Sequence, residues 1–415
     1  MAKRALAVSV TLALACLSAP AFAQDGTGIQ AGPFRVKPTV GLSFGHDSNV
    51  ARTRTNEIDS FVTTISPGVR LESGDESRNF ALSYELDAAR YEDSDIDNYV
   101  DHRVSAIARF APSARTALDV QGNYERGHDR RGENSRQGNF ANFGNLQPDE
   151  WNLGGVQGGV KYGVDGARAS VAVRAGTESL EYQNNRSYTR FADRDKTFAE
   201  GVLGFRIAPK TSAFLSVRGD TIEYDFRRSS PEFASYSLDS DERAYMLGLE
   251  FDATAKTAGR IAAGRIEKDF NDGRLEDYSG TGWQVGVQFR PRTYSIIDLS
   301  TSRRTDEAVN FNLGIGPTSL DTDYVIARDI TLAWTHGWND RIHTTLDLGT
   351  EQSDYIRRDR AIRDDKLSFF GVSADYKLRS WLSIGAGYKT YTNDSSQAVF
   401  EYDRDEFVVS FEGSL

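Results

Sequence analysis

The feature that most constrains this chain is an alternation of apolar and polar residues with a period of two. In residues 36–44 the apolar residues occupy the even positions, and in residues 407–411 they occupy the odd positions. Alternation with this period puts the two sets of side chains on opposite faces of a β-sheet. We count about eighteen such segments between residue 35 and the end of the chain, each near the length that a tilted strand needs to cross a bilayer.

The connections between these segments alternate in length. Short polar turns, such as residues 111–115 and 291–292, alternate with longer loops rich in Asp, Asn, Arg, Ser and Gly. The clearest long loops are residues 46–59, 127–150, 183–195, 227–240, 306–322 and 355–364. This alternation is typical of a transmembrane barrel, in which one side of the membrane holds the tight turns and the other side holds the loops.

The alternative is a soluble β-sandwich or a propeller, since the hairpins repeat about every 40 residues. Charged residues, 26% of the chain, occur on the polar face of nearly every segment, which a dry core between two packed sheets would not tolerate. Aromatic residues near segment ends, such as Phe110, Trp283 and Trp381, fit an interfacial girdle. We therefore predict an all-β fold: a transmembrane, antiparallel, up-and-down β-barrel of about 18 strands with no plug domain.

The first residues have the pattern of a secretory signal peptide. Lys3 and Arg4 precede an apolar stretch, and Ala21-Phe22-Ala23 supplies a small-x-small cleavage pattern. An alternative is lipoprotein processing at Cys16, the only cysteine. The favoured division is a signal peptide over residues 1–23, a short periplasmic segment over 24–34 and an outer-membrane barrel over 35–415.

The face opposite the apolar one is expected to line an aqueous lumen, because a barrel this wide is not filled by its own side chains. The basic candidates fall mostly in the first half of the chain and the acidic ones in the second, so a positive wall is expected across from a negative one. The alternative is that these charges are simply solvated and paired with their neighbours. The predicted basic residues are Arg35, Lys37, Arg70, Arg103, Arg109, Lys161, Arg168, Arg174, Arg206 and Arg218. The predicted acidic residues are Glu250, Asp252, Asp298, Asp329, Asp347, Asp375, Glu406 and Glu412, while the face of Arg265 is ambiguous.

Signs of catalytic or metal chemistry are weak. None of the five histidines has a metal-ligand spacing, and no Gly-x-Ser-x-Gly elbow occurs. Residues 93–98 imitate the start of a calcium loop but lack its glycine and glutamate, so a solvated loop is the preferred interpretation. We expect no metal, no cofactor and no enzymatic activity. The net charge of −11 argues against a nucleic-acid partner.

The first hairpin resembles the opening of the putative β-barrel porin 2 family. That family begins with a proline-containing strand followed by a Gly-x-Asp-Ser/Asp-Asn-Val motif, which Gly45, Asp47, Ser48, Asn49 and Val50 match. Residues 65–69 also look like the family's second strand. The resemblance implies a Gram-negative outer-membrane protein found with exopolysaccharide or capsule machinery.

Two functions follow as hypotheses. The first is a passive outer-membrane channel that exports a secreted exopolysaccharide, with periplasmic components of an export system as partners and inward tyrosines such as Tyr391 as stacking surfaces. The second is a general or solute-selective diffusion porin, which needs a constriction loop; residues 127–150, with Arg130, Arg131 and Arg136, are the candidate. A barrel hydrolase is a minor third possibility. In each case the surroundings are outer-membrane lipid.

Overall fold

The computed structural model describes residues 28–75, 77–137, 147–163, 167–229, 235–254, 256–308 and 322–415. The predicted signal peptide lies outside the described residues. The strands are β1 (Ile29–Ala31), β2 (Phe34–Asp47), β3 (Ser60–Gly74), β4 (Arg78–Tyr91), β5 (Tyr99–Ser113), β6 (Thr116–Asp129), β7 (Asp149–Tyr162), β8 (Ala169–Tyr182), β9 (Arg194–Ala208), β10 (Thr211–Tyr224), β11 (Ser240–Thr254), β12 (Thr257–Phe270), β13 (Tyr278–Arg292), β14 (Ser295–Glu307), β15 (Tyr324–Gly337), β16 (Ile342–Arg357), β17 (Arg360–Arg379), β18 (Leu382–Ser395) and β19 (Tyr402–Ser414).

Strands β2–β19 form a closed antiparallel ring of eighteen. Each strand pairs with its neighbours in sequence, and β19 pairs with β2 from Ser414↔Thr39 to Glu406↔Asp47. Closure is required in lipid, where every backbone donor and acceptor must find a partner within the protein. The short β1 lies outside the ring and pairs only with the start of β2. The predicted up-and-down barrel of about eighteen strands is confirmed.

The outer face of the ring carries the exposed apolar side chains. Phe61, Phe205 and Leu247 are 59%, 55% and 67% exposed, at alternate positions along their strands. The ladder pairs residues of the same face, as in Leu42↔Ile65. It also resolves Arg265, which pairs with Tyr245 and therefore lies on the outer face. Since apolar side chains are stable against lipid tails, this face contacts the membrane.

Exposed aromatic side chains mark the end of the barrel that has the short turns. Tyr294, Trp338 and Trp381 lie in these turns and are 54%, 63% and 52% exposed. The His336 ring packs edge-on against Trp338, with centroids 4.6 Å apart. Aromatic rings that combine an apolar body with a polar group are favoured at the membrane–water boundary, which explains their position here.

The prediction of one long loop, over residues 355–364, is wrong. The expected loop at 355–364 is instead a hairpin, in which β16 continues to Arg357 and β17 starts at Arg360. The two turn residues, Arg358 and Asp359, have φ angles of 48° and 60°. Left-handed geometry at both positions matches the twist of the flanking strands, so a two-residue turn closes the hairpin. Polar composition alone suggested a loop because these strands project beyond the apolar band.

Helical structure is minor in the described ranges. The α-helix α1 (Arg186–Thr189) has four residues, and three-ten turns occupy Asp95–Asp97, Asn134–Arg136, Arg190–Ala192 and Ala398–Phe400. None of the helices found there is long and apolar enough to cross a membrane. All of them lie in the long connections, so these connections are folded.

Candidate channel lumen and its extracellular mouth

The predicted basic residues share one face of the sheet. Arg70 pairs with Lys37, Arg206 with Ser212 and Arg218 with Glu200, and all alternate with the exposed apolar residues of their strands. Arg168 lies in the turn that precedes β8. The face opposite the lipid-facing one is the inner face of the ring. These inner positions are Arg35, Lys37, Arg70, Arg103, Arg109, Lys161, Arg174, Arg206 and Arg218.

The predicted acidic residues lie on the same inner face. Glu250 pairs with Ser212 and Arg260, and Asp375 pairs with His343 and Gly385. The other inner acidic positions are Asp252, Asp298, Asp329, Asp347, Glu406 and Glu412. That these residues select ions or solutes stays a prediction.

Several inner-face charges are paired in ion pairs along or across strands. Arg103 Nη2 lies 2.7 Å from Glu125 Oε1, and Arg218 Nη2 lies 2.7 Å from Asp220 Oδ1. Lys37 and Arg70 share the Glu72 carboxylate, at 3.0 and 2.6 Å. Arg174 is 3.7 Å from Glu200. Paired charges attract a passing charged solute less than isolated ones do, because each field is partly cancelled by its neighbour.

Two aromatic rings on the inner face lie flat over glycines, and each ring makes a cation–π contact with a basic side chain. A Cβ placed on Gly248 would lie 2.4 Å from Phe214 Cζ, and the Arg260 guanidinium stacks 4.0 Å from the same ring. Phe369 covers Gly349 in the same way and carries the Lys389 ammonium at 4.3 Å. The absence of a side chain lets each ring lie flat on the wall. These stacks hold cations against the wall at fixed positions.

We predict that Gly248→Ala destabilises the barrel by about 1–3 kcal/mol, the usual cost of an extra group in a packed site. The new methyl group would meet both the Phe214 ring and the carbonyl oxygen of Ile261. Gly286→Ala is the matched control, since Gly286 is also on the inner face and its Cβ would have nothing within 4 Å. Urea unfolding in detergent compares the two variants. Equal losses in both would contradict this packing role.

The connection after β6 is fixed to three other parts of the mouth. The Arg131 guanidinium is buried and bonds to Asp97 Oδ1 at 2.8 Å and to Ser94 Oγ at 2.7 Å. Glu133 pairs with Arg52 of the β2–β3 connection. Gln137 accepts a hydrogen bond of 2.6 Å from Arg363 of β17. The segment 130–137, which we call the mouth loop, is therefore held over the extracellular end of the barrel.

The predicted constriction arginines have different surroundings. Arg131 and Arg136 are buried, and Arg136 donates to the carbonyl of Gln147 at 2.7 Å. Arg130 is half-buried, and its backbone N–H donates to Glu133. Buried, bonded guanidinium groups hold a loop in place rather than meeting solute. Residues 138–146 of the predicted constriction loop lie outside the described part of the chain. The calcium-like segment 93–98 supplies Ser94 and Asp97 to Arg131.

The mouth loop should loosen in acid. Burial raises the pKa of the Glu133 carboxyl, but the positive charges of Arg52, Arg130 and Arg404 outweigh that effect and leave it below its ordinary value of 4.5. Because the folded-state pKa is the lower one, this stabilisation is complete above pH 4.5 and is lost as the pH falls through the folded-state value. We expect faster protease cleavage of the loop at acidic pH. Glu133→Gln should already be cleaved quickly at neutral pH, and a wild-type loop with pH-independent protection would contradict the prediction.

The extracellular end of β14 turns into the ring. Its ladder with β13 stops at Arg303↔Trp283, whereas its ladder with β15 continues to Glu307↔Tyr324. By alternation Glu307 belongs to the outer face, yet Glu307 Oε1 lies 2.8 Å from the fully buried Lys268 Nζ on the inner face of β12. The end of β14 therefore lies inside the barrel wall.

The inturned end is packed and bonded. Tyr324 of β15 lies 5.3 Å, centroid to centroid, from Tyr278 of β13, within a cluster of buried apolar residues. Above it, Arg228 of the β10–β11 connection donates to the carbonyls of Thr322, Ala308 and Phe191 at 3.1–3.2 Å. The inturned end of β14, the apolar cluster and the β10–β11 connection form a second layer inside the wall. This layer covers the side of the mouth formed by β8–β16. The outer and inner faces thus lose their simple alternation at this end.

The motif of the first hairpin, Gly45 to Val50, lies at the seam where the ring closes. Asp47 accepts two hydrogen bonds from Arg404 of β19, at 3.0 and 2.7 Å. Asn49 Nδ2 donates to Asp403 O at 2.9 Å, and Ser48 Oγ accepts from the backbone of Asp405 at 2.8 Å. Val50 is buried, while Gly45 lies where a Cβ would be 3.1 Å from Phe407 O. The motif joins the first strand of the ring to the last.

Sequence reasoning missed the residues that organise the mouth. Arg404, Lys268 and Glu307 look like any other charged residue of an alternating strand, and no local signal marks them as buried. Tyr391, which we expected to offer a stacking surface, is only 7% exposed and donates to Glu406. The described residues contain no group of three or more His, Cys, Asp or Glu side chains that would hold a metal ion.

The comparisons with known proteins identify a family. A model described as putative beta-barrel porin 2 matches residues 22–414. No curated protein matches the chain significantly. Similar solved structures include Pseudomonas aeruginosa OccK3 (OpdO), with 15% identity and a TM-score of 0.45 over 92% of this chain and 95% of that one. Another is P. aeruginosa OccK2 (OpdF) in complex with glucuronate, with 11% identity and a TM-score of 0.49 over 92% and 98%. A third is the siderophore receptor PirA of Acinetobacter baumannii, with 6% identity and a TM-score of 0.44 over 92% and 80%.

The match to the family model covers nearly the whole barrel, and it agrees with the resemblance that the first hairpin shows. The family and the closed ring indicate a porin-like barrel of the Gram-negative outer membrane, and both are typical of a channel rather than an enzyme. The chain belongs to the putative beta-barrel porin 2 family.

Proposed function

We propose that this protein is a diffusion channel for small polar solutes whose extracellular mouth is narrowed by the mouth loop. The observation that carries the proposal is the reach of that loop from the end of β6 to β17. Going through β2 and β19, these two strands are seven positions apart in the ring. This favours the solute porin over the export channel that the sequence resemblance suggested first.

The length of the loop is sufficient, together with the Gln137 and Arg363 side chains, to join β6 to β17 at the mouth. Seven strand spacings of about 4.8 Å amount to about 34 Å along the wall. The eight residues after Asp129 span at most about 29 Å when fully extended, and they include the three-ten turn Asn134–Arg136. The contacts with Arg52 and Asp97 tie the loop down along the way. A loop held in this way narrows the entrance for a solute.

Swelling of proteoliposomes in sugars of increasing size tests this function. We expect rapid entry of monosaccharides and a sharp fall for oligosaccharides, because the mouth sets a size limit. Proteoliposomes that contain the barrel but have no solute gradient across their membrane give the baseline swelling rate. Swelling rates that do not depend on sugar size, or no swelling with any sugar, would contradict a narrowed diffusion channel.

The second candidate is the passive export of a secreted polysaccharide, as the family resemblance implies. The paired inner charges favour it, since Arg103–Glu125, Arg174–Glu200 and Arg218–Asp220 leave a wall to which a hydrated polymer binds weakly. Export would require the loops to move aside and periplasmic components to supply the polymer.

The location of polysaccharide in cells lacking this chain separates the two candidates. Polymer retained in the periplasm and missing from the medium would support export. Unchanged polymer secretion together with slower uptake of small solutes would support the diffusion channel and exclude a dedicated export role.

A further inference from the structure

Not all inner-face charges are paired, and the unpaired ones are segregated around the ring. Among the residues that the structure describes, one set of basic side chains and one set of acidic side chains form no ion pair. The basic set is Arg35, Arg109, Lys161 and Arg206 on the inner face of β2–β9, together with Arg168 in the turn before β8. The acidic set is Glu250, Asp252, Asp298, Asp347, Asp375 and Glu412, on β11–β19.

The ring order places members of the two sets on opposite walls. Two strands that are nine positions apart in a ring of eighteen face each other across the lumen. Arg109 on β5 is nine positions from Asp298 on β14, and Arg35 on β2 is nine from Glu250 on β11. The same spacing relates Lys161 on β7 to Asp347 on β16, and Arg168, beside β8, to Asp375 on β17.

These opposed charges also lie at a similar depth. Each of the eight residues lies no more than five residues from the short-turn end of its strand, which faces the periplasm. Five residues along a strand are about 17 Å before the strand tilt is considered. The charges therefore form one zone in the periplasmic half of the lumen, away from the mouth loop.

Charges of the opposite sign on each wall weaken the separation of the two sets. On the basic side, the Glu72 carboxylate is already paired with Lys37 and Arg70. Asp119, which pairs across the strand with Arg109, leans toward β7, where its Oδ1 would be 3.0 Å from a Cβ on Gly159. On the acidic side, Arg260 is stacked on Phe214, and Lys389 lies beside Asp347, since a Cβ on Gly371 would be close to both side chains. Arg290 and Lys377 lie in the same zone, two residues from the short-turn ends of their strands, and reduce the negative charge of this wall.

We propose that this zone makes the channel prefer dipolar solutes, meaning small molecules with an ammonium group at one end and a carboxylate at the other. The proposal rests on the proposed diffusion function and names its substrate class. A field directed across the lumen orients such a solute, with its carboxylate toward β2–β9 and its ammonium toward β11–β19. A solute with a single charge is attracted by one wall and repelled by the other, and an uncharged solute gains nothing.

Triglycine and glucose, a zwitterion and a neutral sugar of similar mass, test the proposal in swelling assays. We expect wild-type liposomes to admit triglycine about two- to threefold faster than glucose, since charges across an aqueous lumen are strongly screened. The test variant removes three of the four opposed pairs, through Arg35→Gln, Arg109→Gln, Arg168→Gln, Glu250→Gln, Asp298→Asn and Asp375→Asn. It keeps the net charge of the lumen, so its reversal potential in a salt gradient should stay near that of the wild type while most of the triglycine preference is lost.

The control variant is Arg243→Gln with Asp269→Asn, a pair 2.9 Å apart on the outer face that should change neither readout. Gel migration with and without heating shows that each variant is a folded barrel. A test variant that keeps the triglycine preference would overturn the proposal, as would a wild type that admits both solutes equally. Failure of the wild type to admit either solute would instead overturn the diffusion function itself.

Discussion

Replacing Arg404 by alanine is expected to lower the free energy of unfolding of the barrel by about 3–5 kcal/mol, the usual result of breaking a buried ion pair from one side. Arg404 is 5% exposed and bonds Asp47, also 5% exposed, through two nitrogen atoms. It also pairs with Glu406. Its removal leaves two carboxylates without their cation at the strand ends where the ring closes, so the first and last strands should separate more easily.

Urea unfolding in lipid or detergent and the temperature at which the band shifts in gels measure this effect. The matched control is Arg126→Ala, which removes an exposed arginine 3.0 Å from Glu150 on the outer face. Exposed pairs contribute about 0–1 kcal/mol, so this variant should behave like the wild type. Equal stability of the two variants would show that the seam does not depend on Arg404.

The second large effect is expected from Arg131→Ala, which should release the mouth loop and raise single-channel conductance. Arg131 is 2% exposed, and without it Asp97 is left buried and unpaired. A cost of about 3–5 kcal/mol shifts a local opening equilibrium by about 10²–10⁴-fold, enough to turn a rare open loop into the common state. The barrel wall itself should stay folded, because local opening does not require the ring to unfold.

Planar bilayer recordings with the purified variant measure the conductance, and the sugar series measures the new size limit. Arg54→Ala is the control, since Arg54 lies in the β2–β3 connection and pairs at 3.4 Å with the exposed Glu401. It should leave both readouts unchanged. A folded Arg131→Ala barrel with unchanged conductance and size limit would mean that the mouth loop does not narrow the channel.

Much of the candidate site followed from the sequence because alternation is local. The inner positions of Arg103, Arg174 and Glu250 follow from the strand period alone, as the ladder register shows. Whether such a charge is paired does not follow. Arg103 finds Glu85 and Glu125 on the two neighbouring strands, while Arg206 has no acidic partner among the described residues. That difference depends on register, which the sequence pattern does not fix between polar faces.

By itself the sequence determined the barrel class, the strand number and the two faces. A period of two decides which side chains share a face, and lipid requires that the ring be closed and apolar outside. Only the tertiary structure decided that Asp47 meets Arg404, that Glu307 reaches Lys268 inside the wall and that the mouth loop reaches β17. These contacts join residues that are far apart in the chain or on opposite faces by alternation. They depend on the curvature of the closed ring and on where strands leave it, which no local pattern records.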